Sequence, residues 1–104
     1  MIGINNYRPL PSCVTIDDSF IHGLGLICSK DIPAAECLGV THIFHEESNR
    51  WLRTPLGGFV NHSEHPNCFI LNKGKERILY TVKPIKKAEE LCVFYTLKEN
   101  ESSR

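Results

Sequence analysis

Apolar positions along this chain come in short runs separated by turn formers, a pattern of many brief strands rather than of long helices. Cys13 to Ile16 is the first run, followed by an Asp17-Asp18-Ser19 turn. Leu24 to Cys28 is the second, entered through His22-Gly23-Leu24-Gly25. Cys37 to Phe44, with Val40, Thr41, Ile43 and Phe44, carries the β-branched and aromatic residues that suit a pleated surface. Cys68 to Leu71 and Arg77 to Val82 flank Asn72-Lys73-Gly74-Lys75, which predicts a hairpin, and Glu90 to Tyr95 reads as a last strand. Glu46 to Arg53 is expected to make one or two helical turns, ended before Pro55. Gly57 to Asn67 is dense in turn formers, and the chain is read as having no internal repeat. The expectation is a single mainly β domain (β-rich α+β) over residues 13–97. An irregular arm, residues 1–12, precedes it and a polar tail, residues 98–104, follows.

Composition narrows the function classes. A chain of 104 residues supports one hydrophobic core. Twelve basic and twelve acidic residues cancel, which argues against a dedicated binder of nucleic acid or of anionic membranes. Lys73, Lys75, Arg77, Lys83, Lys86 and Lys87 nevertheless make one stretch basic. It reads as a solvated hairpin with the turn after it, or as a patch touching an acidic substrate segment. The five cysteines are odd in number and form no C-x-x-C pair, so neither a disulfide framework nor a zinc ribbon is expected. With no signal peptide pattern and no apolar run near the ~18 residues of a membrane span, an intracellular protein without a membrane partner is the expectation.

Three short motifs carry candidate chemistry. Gly23-Leu24-Gly25 offers two places where backbone can turn sharply or approach a ligand, but lacks the third glycine and helix of a dinucleotide fingerprint. Asn61-His62-Ser63-Glu64-His65-Pro66-Asn67 is a polar loop held between Phe59-Val60 and Cys68-Phe69-Ile70-Leu71, so its amides and imidazoles need specified partners. Tyr95 ends the apolar run Leu91-Cys92-Val93-Phe94. Taken singly each is weak: the first reads more readily as a tight turn and Tyr95 as a core or rim aromatic, and the middle segment can be an ordinary surface loop.

In order, a G-x-G entry, Phe-Val-Asn-His-Ser-x-x-Pro-Asn and Glu-Glu-Leu-x-x-x-Tyr together resemble the signature of SET-domain methyltransferases, over about Phe20 to Leu97. The resemblance implies a SET-domain fold of several small sheets with a knot-like C-terminal segment. It implies S-adenosylmethionine as cofactor and methyl transfer to a lysine of a protein substrate, histones among the candidates. Gly23, Leu24 and Gly25 would set backbone against the methionine part of the cofactor. Asn61 and His62 would hold its amino and adenine ends, and Tyr95 would stand beside the methyl-transfer channel. Departures from the pattern are Gly58 for the usual Arg, Phe94 for the Asp commonly before the tyrosine, and Glu64 for a zinc-ligating Cys. No Cys follows Tyr95, so the zinc-bearing lid of many members has no counterpart and no metal is expected. The insert Glu46 to Leu56 is also short, as in pared-down versions from viral and bacterial settings. A second copy of the chain is the expected source of the missing wall, making a homodimer.

Two rivals accompany this reading. His42, His45 and Glu46, or His62, His65 and Cys68, have zinc-ligand chemistry, although a spacing of three on a strand points to opposite faces. A SET-like module that binds cofactor or protein without catalysis is the other.

Overall fold

Strand alternation turns one side of a hairpin inward, with Val14, Leu26 and Cys28 buried and Leu24 exposed at its open end. Strand β1 (Val14–Asp18) pairs antiparallel with β2 (Leu24–Cys28), in register from Val14 opposite Cys28 to Asp18 opposite Leu24. The computed structural model describes residues 9–94. The other elements are β3 (Cys37–His45), β4 (Arg50–Arg53), the short helix α1 (Pro55–Phe59), β5 (Asn61–His62), β6 (Cys68–Lys73), β7 (Glu76–Thr81) and β8 (Glu90–Val93). They form two four-stranded sheets, ordered β1-β2-β8-β5 and β4-β3-β7-β6. Mainly β architecture in small sheets is therefore what the chain adopts.

Leu26, Leu56, Leu79, Ile85, Leu91 and Val93 are the largest apolar side chains of the core between the sheets, each at most 1% exposed. The hairpin between β6 and β7 runs in full register from Cys68 opposite Thr81 to Lys73 opposite Glu76 around Gly74-Lys75.

The segment expected to be helical corrects the sequence reading. Glu46 to Asn49 turns the chain, with Asn49 at φ +58°, and Arg50–Arg53 returns as β4 beside β3. Trp51 and Leu52 favour strand, and the long β3 offers them an edge. The helix follows Pro55 instead. Thr54-Pro55 is a start signal: Thr54 accepts a hydrogen bond from the Gly57 N–H (3.3 Å), and proline suits the first helical turn. A β carbon on Gly57 would lie 2.3 Å from the Thr41 carbonyl oxygen, so only glycine lets α1 approach β3 this closely.

An internal repeat, unnoticed in the sequence, joins the two sheets. Ile32 and Ile85 exchange backbone hydrogen bonds of 2.8 Å in both directions. Around them, Cys28 N–H donates to Glu89 O and Thr81 N–H to Glu36 O, while Ala88 N–H donates to Cys28 O and Ala35 N–H to Thr81 O. Each residue of one set has its counterpart 53 positions later, from Leu26 and Leu79 to Ile32 and Ile85, Ala35 and Ala88, Leu38 and Leu91. Ala35 and Ala88 share a positive φ, 60° and 78°. The match covers one strand, one loop and one strand start, too short to register as periodicity.

Candidate functional site

Strand β8 sits inside its sheet, antiparallel to β2 and parallel to β5, and this gathers two of the three motifs. Asn61 lies opposite Cys92 and His62 opposite Val93. Asn67 fastens β8 from the far side of the loop: its Nδ2 donates to Glu90 O (2.9 Å) and its Oδ1 accepts from Cys92 N–H (2.9 Å). The final Asn of the Asn-His-Ser-x-x-Pro-Asn segment thus holds the strand that the first Asn pairs with.

The turn between β1 and β2 is built on Ser19. Its Oγ accepts from the N–H groups of Ile21 (2.7 Å) and His22 (2.9 Å), and its own N–H donates to Gly23 O (2.8 Å). Gly23 takes φ +55° with nothing within 4 Å of where a β carbon would stand. Against this turn lies a buried carboxylate. Glu90 Oε2 accepts from Ser19 Oγ (2.7 Å) and Asn61 Nδ2 (3.0 Å), and Oε1 accepts from Phe20 N–H (2.8 Å). Asn61 Nδ2 also approaches Ser19 Oγ and the carbonyls of His22 and Leu24, at 3.0 to 3.2 Å. With acceptors on that side, the NH₂ of the carboxamide must face inward, which leaves Oδ1 directed away from the cluster.

Gly25 has a part here that the sequence did not disclose. A β carbon on it would stand 2.3 Å from Glu90 Oε2 and 3.1 Å from Asn61 Nδ2. The carboxylate and the amide occupy the space that a side chain would need. Sequence reasoning placed Glu90 in a motif without giving it work, and it placed Ser19 in a turn without linking it to the site. The acidic residue in a strand otherwise buried on both faces was the available signal.

The structure therefore brings together Gly23, Leu24, Gly25 and Asn61. His62 is exposed beside them, its ring 4.9 Å from that of Phe94 at a tilt of 45°. Tyr95, the expected catalytic residue, lies outside the described residues, as do residues 1–8 of the arm and the whole of the tail.

Of the histidines that suggested metal, His42 is buried and His45 exposed, on opposite faces of β3. Among the described residues no group of three or more His, Cys, Asp or Glu side chains is arranged to hold an ion. Burial, followed by the charges of Arg77 and Arg53, lowers the pKa of His42 to about 4. Burial also pushes the Cys68 thiol up to about 12 and the Cys28 thiol to about 11, which makes both poor nucleophiles.

The fold and this cluster define a class that the comparisons name. The SET-domain family model matches residues 41–96, more than half of the chain, and the chain belongs to the SET-domain family. It is 25% identical over 108 residues to a histone-lysine N-methyltransferase of Schizosaccharomyces pombe specific for lysine 37 of histone H3, covering 81% of this chain and 74% of that one. Among solved structures it resembles a candidate histone methyltransferase of Plasmodium falciparum, with TM-score 0.69, 19% identity, and 83% of this chain and 95% of that one covered. The methyltransferase domain of human PR domain-containing protein 2 gives TM-score 0.66 and 21% identity, over 84% and 79% of the two chains. No helix among the described residues is long and apolar enough to cross a membrane.

Proposed function

We propose that the protein transfers a methyl group from S-adenosylmethionine to a lysine side chain of another protein. The observation that carries this reading is Asn61, anchored through Nδ2 behind the Gly23-Leu24-Gly25 turn with Oδ1 left over. An oxygen acceptor beside an open glycine turn suits the ammonium end of an amino-acid-derived cofactor. Gly23, Leu24, Asn61 and His62 would hold it, and when bound it supplies an activated methyl on a sulfonium. The chain's own work is alignment.

Glu90 fixes the turn and the amide relative to each other before any ligand arrives, so little ordering remains on binding. The target lysine must lose a proton, since only about one in a few thousand is neutral at pH 7 with a free pKa near 10.4. Apolar surroundings such as Val93 and Phe94 favour the neutral amine. Tyr95, directly after Phe94, would orient that amine through its hydroxyl.

Calorimetry with S-adenosylmethionine and transfer of labelled methyl to histones and mixed cell protein test the reading. Binding is expected in the wild type and at least tenfold weaker in Asn61→Ala. Tyr95→Phe should keep binding and lose most turnover. A folded wild type that binds no cofactor overturns the proposal. Binding without transfer to any protein favours a module that only binds.

A further inference from the structure

A cationic row crosses the second sheet far from this cluster. Arg53 on β4 is paired with His42 on β3, His42 with Arg77 on β7, and Arg77 with Asn72 on β6. Directly paired residues share a face, their β carbons about 5 Å apart. Arg77 is two residues from Leu79, so the row continues the core-facing side of the sheet past the point where the core ends. Only 8% of Arg77 is exposed. Its guanidinium lies over the ring of Trp51, 4.0 Å from the centroid, and Trp51 is held edge-on by Phe44 across β3 and β4. Buried Nε of Arg77 donates to nothing. Among the described residues the single ion pair is Lys75 with Glu46, on the neighbouring turns, so neither Arg77 nor Arg53 faces a carboxylate.

A buried guanidinium with an unmet N–H and no carboxylate paired with it among the described residues is destabilising, and a ligand that brings a counter-charge lowers the penalty. We infer that this row is an oxyanion-recognition site that takes the side-chain carboxylate of an acidic segment on a protein partner. Arginine is suited to the task because its planar N–H edge matches a carboxylate in two parallel hydrogen bonds. Trp51 covers the flat face, so any approach to the guanidinium is from its edge. Arg53 and Asn72 are exposed at either end, where they can take a second acidic side chain. Arg53 also forms part of the wall of an open depression of about 980 Å³ beside Leu10, Val40 and Leu56, which gives an extended segment a path to the row. A protein partner fits better than a nucleic acid: the chain has no net charge, and Glu46, Glu47 and Glu76 lie among the lysines of the adjacent turns. The inference is independent of methyl transfer, because the two clusters use different strands.

Trp51 is the only tryptophan and lies under the guanidinium, so its emission reports on the site. The probes are a blocked peptide of alternating Glu and Ala, the same peptide with Gln for Glu, and inorganic phosphate, each titrated into the full chain and followed by calorimetry and fluorescence. The Glu peptide should bind saturably, shift Trp51 emission and weaken with added salt, while the Gln peptide does not bind. Arg53→Gln should reduce affinity at least fivefold while leaving S-adenosylmethionine calorimetry unchanged. Arg77→Met should abolish peptide binding yet melt no lower than wild type, since it removes an unpaired buried charge. Absence of binding, equal binding of the Gln peptide, or full affinity in Arg53→Gln overturns the site. Phosphate bound in preference to the Glu peptide overturns the carboxylate assignment. An Arg77→Met variant melting several degrees lower shows that Arg77 serves the fold by stacking on Trp51, and this too overturns it.

Discussion

Glu90 in the first sheet and Arg77 in the second are both buried charged side chains, and their surroundings are opposite in kind. Three groups, the Ser19 hydroxyl, the Phe20 N–H and the Asn61 amide, donate to the carboxylate, and Gly25 lacks a side chain so that they can meet. The guanidinium has an indole face, the imidazole of His42 opposite it in register and no acceptor for Nε. Neutral donors suffice to keep a charge buried when both of its oxygens are met, and such a cluster makes a rigid platform. An unmet charge in the other sheet makes a site that is complete only with a partner.

The largest effect expected is from Glu90→Ala. It strands the Ser19 hydroxyl and the Phe20 N–H and takes one acceptor from the Asn61 amide, and should cost about 3 kcal/mol in denaturant melts. Glu90→Gln, which keeps one acceptor, should cost roughly half of that. A loss below about 0.5 kcal/mol for Glu90→Ala would mean that water replaces the carboxylate freely and that the platform is not rigid.

Gly25→Ala should cost about 2 kcal/mol, because its β carbon meets the Glu90 carboxylate. The two changes share one contact, so Glu90→Ala combined with Gly25→Ala should be less destabilised than their sum. Strict additivity in that double-mutant cycle would break the link between glycine and carboxylate.

The second sheet is tested by pH. His42 has a folded pKa lowered to about 4, below its unfolded value near 6.5. Between these values only the unfolded chain takes up the proton, so stability should fall as the pH drops from 6.5 toward 4, by on the order of 2 kcal/mol. His42→Asn should flatten that part of the profile, and an acid limb unchanged by it would place the proton elsewhere. The smallest effect expected is chemical. Exposed Cys37 should be alkylated quickly in the native protein, while buried Cys28 and Cys68 react only on unfolding. Fast labelling of Cys68 would mean that the edge of the core opens readily.

Much of the fold was legible because its strands carry local signals. Leu24 to Cys28 and the hairpin around Gly74 were visible from alternation and turn chemistry. Arg50–Arg53 was not, since a four-residue strand rich in polar residues differs little from a helical turn until β3 supplies its partner. The two residues of β5 are a strand only because β8 comes back beside them. In the candidate site the glycines and Asn61 stood out as types and spacings, whereas the bond from Glu90 to Ser19 spans 71 positions and leaves no local trace. The cationic row shows the same limit. Arg77 was seen within a basic stretch, but Arg53 and His42 join it only through the register of three strands.

The place of β8 has a consequence for how the chain is made. Strand β2 waits for a partner that is translated more than sixty residues later, and the loops around Ile32 and Ile85 complete each other's hydrogen bonds. At synthesis rates of about 5–20 residues per second, the β1–β2 hairpin spends several seconds with an unpaired edge. Over that interval the edge is open to pairing with other nascent chains.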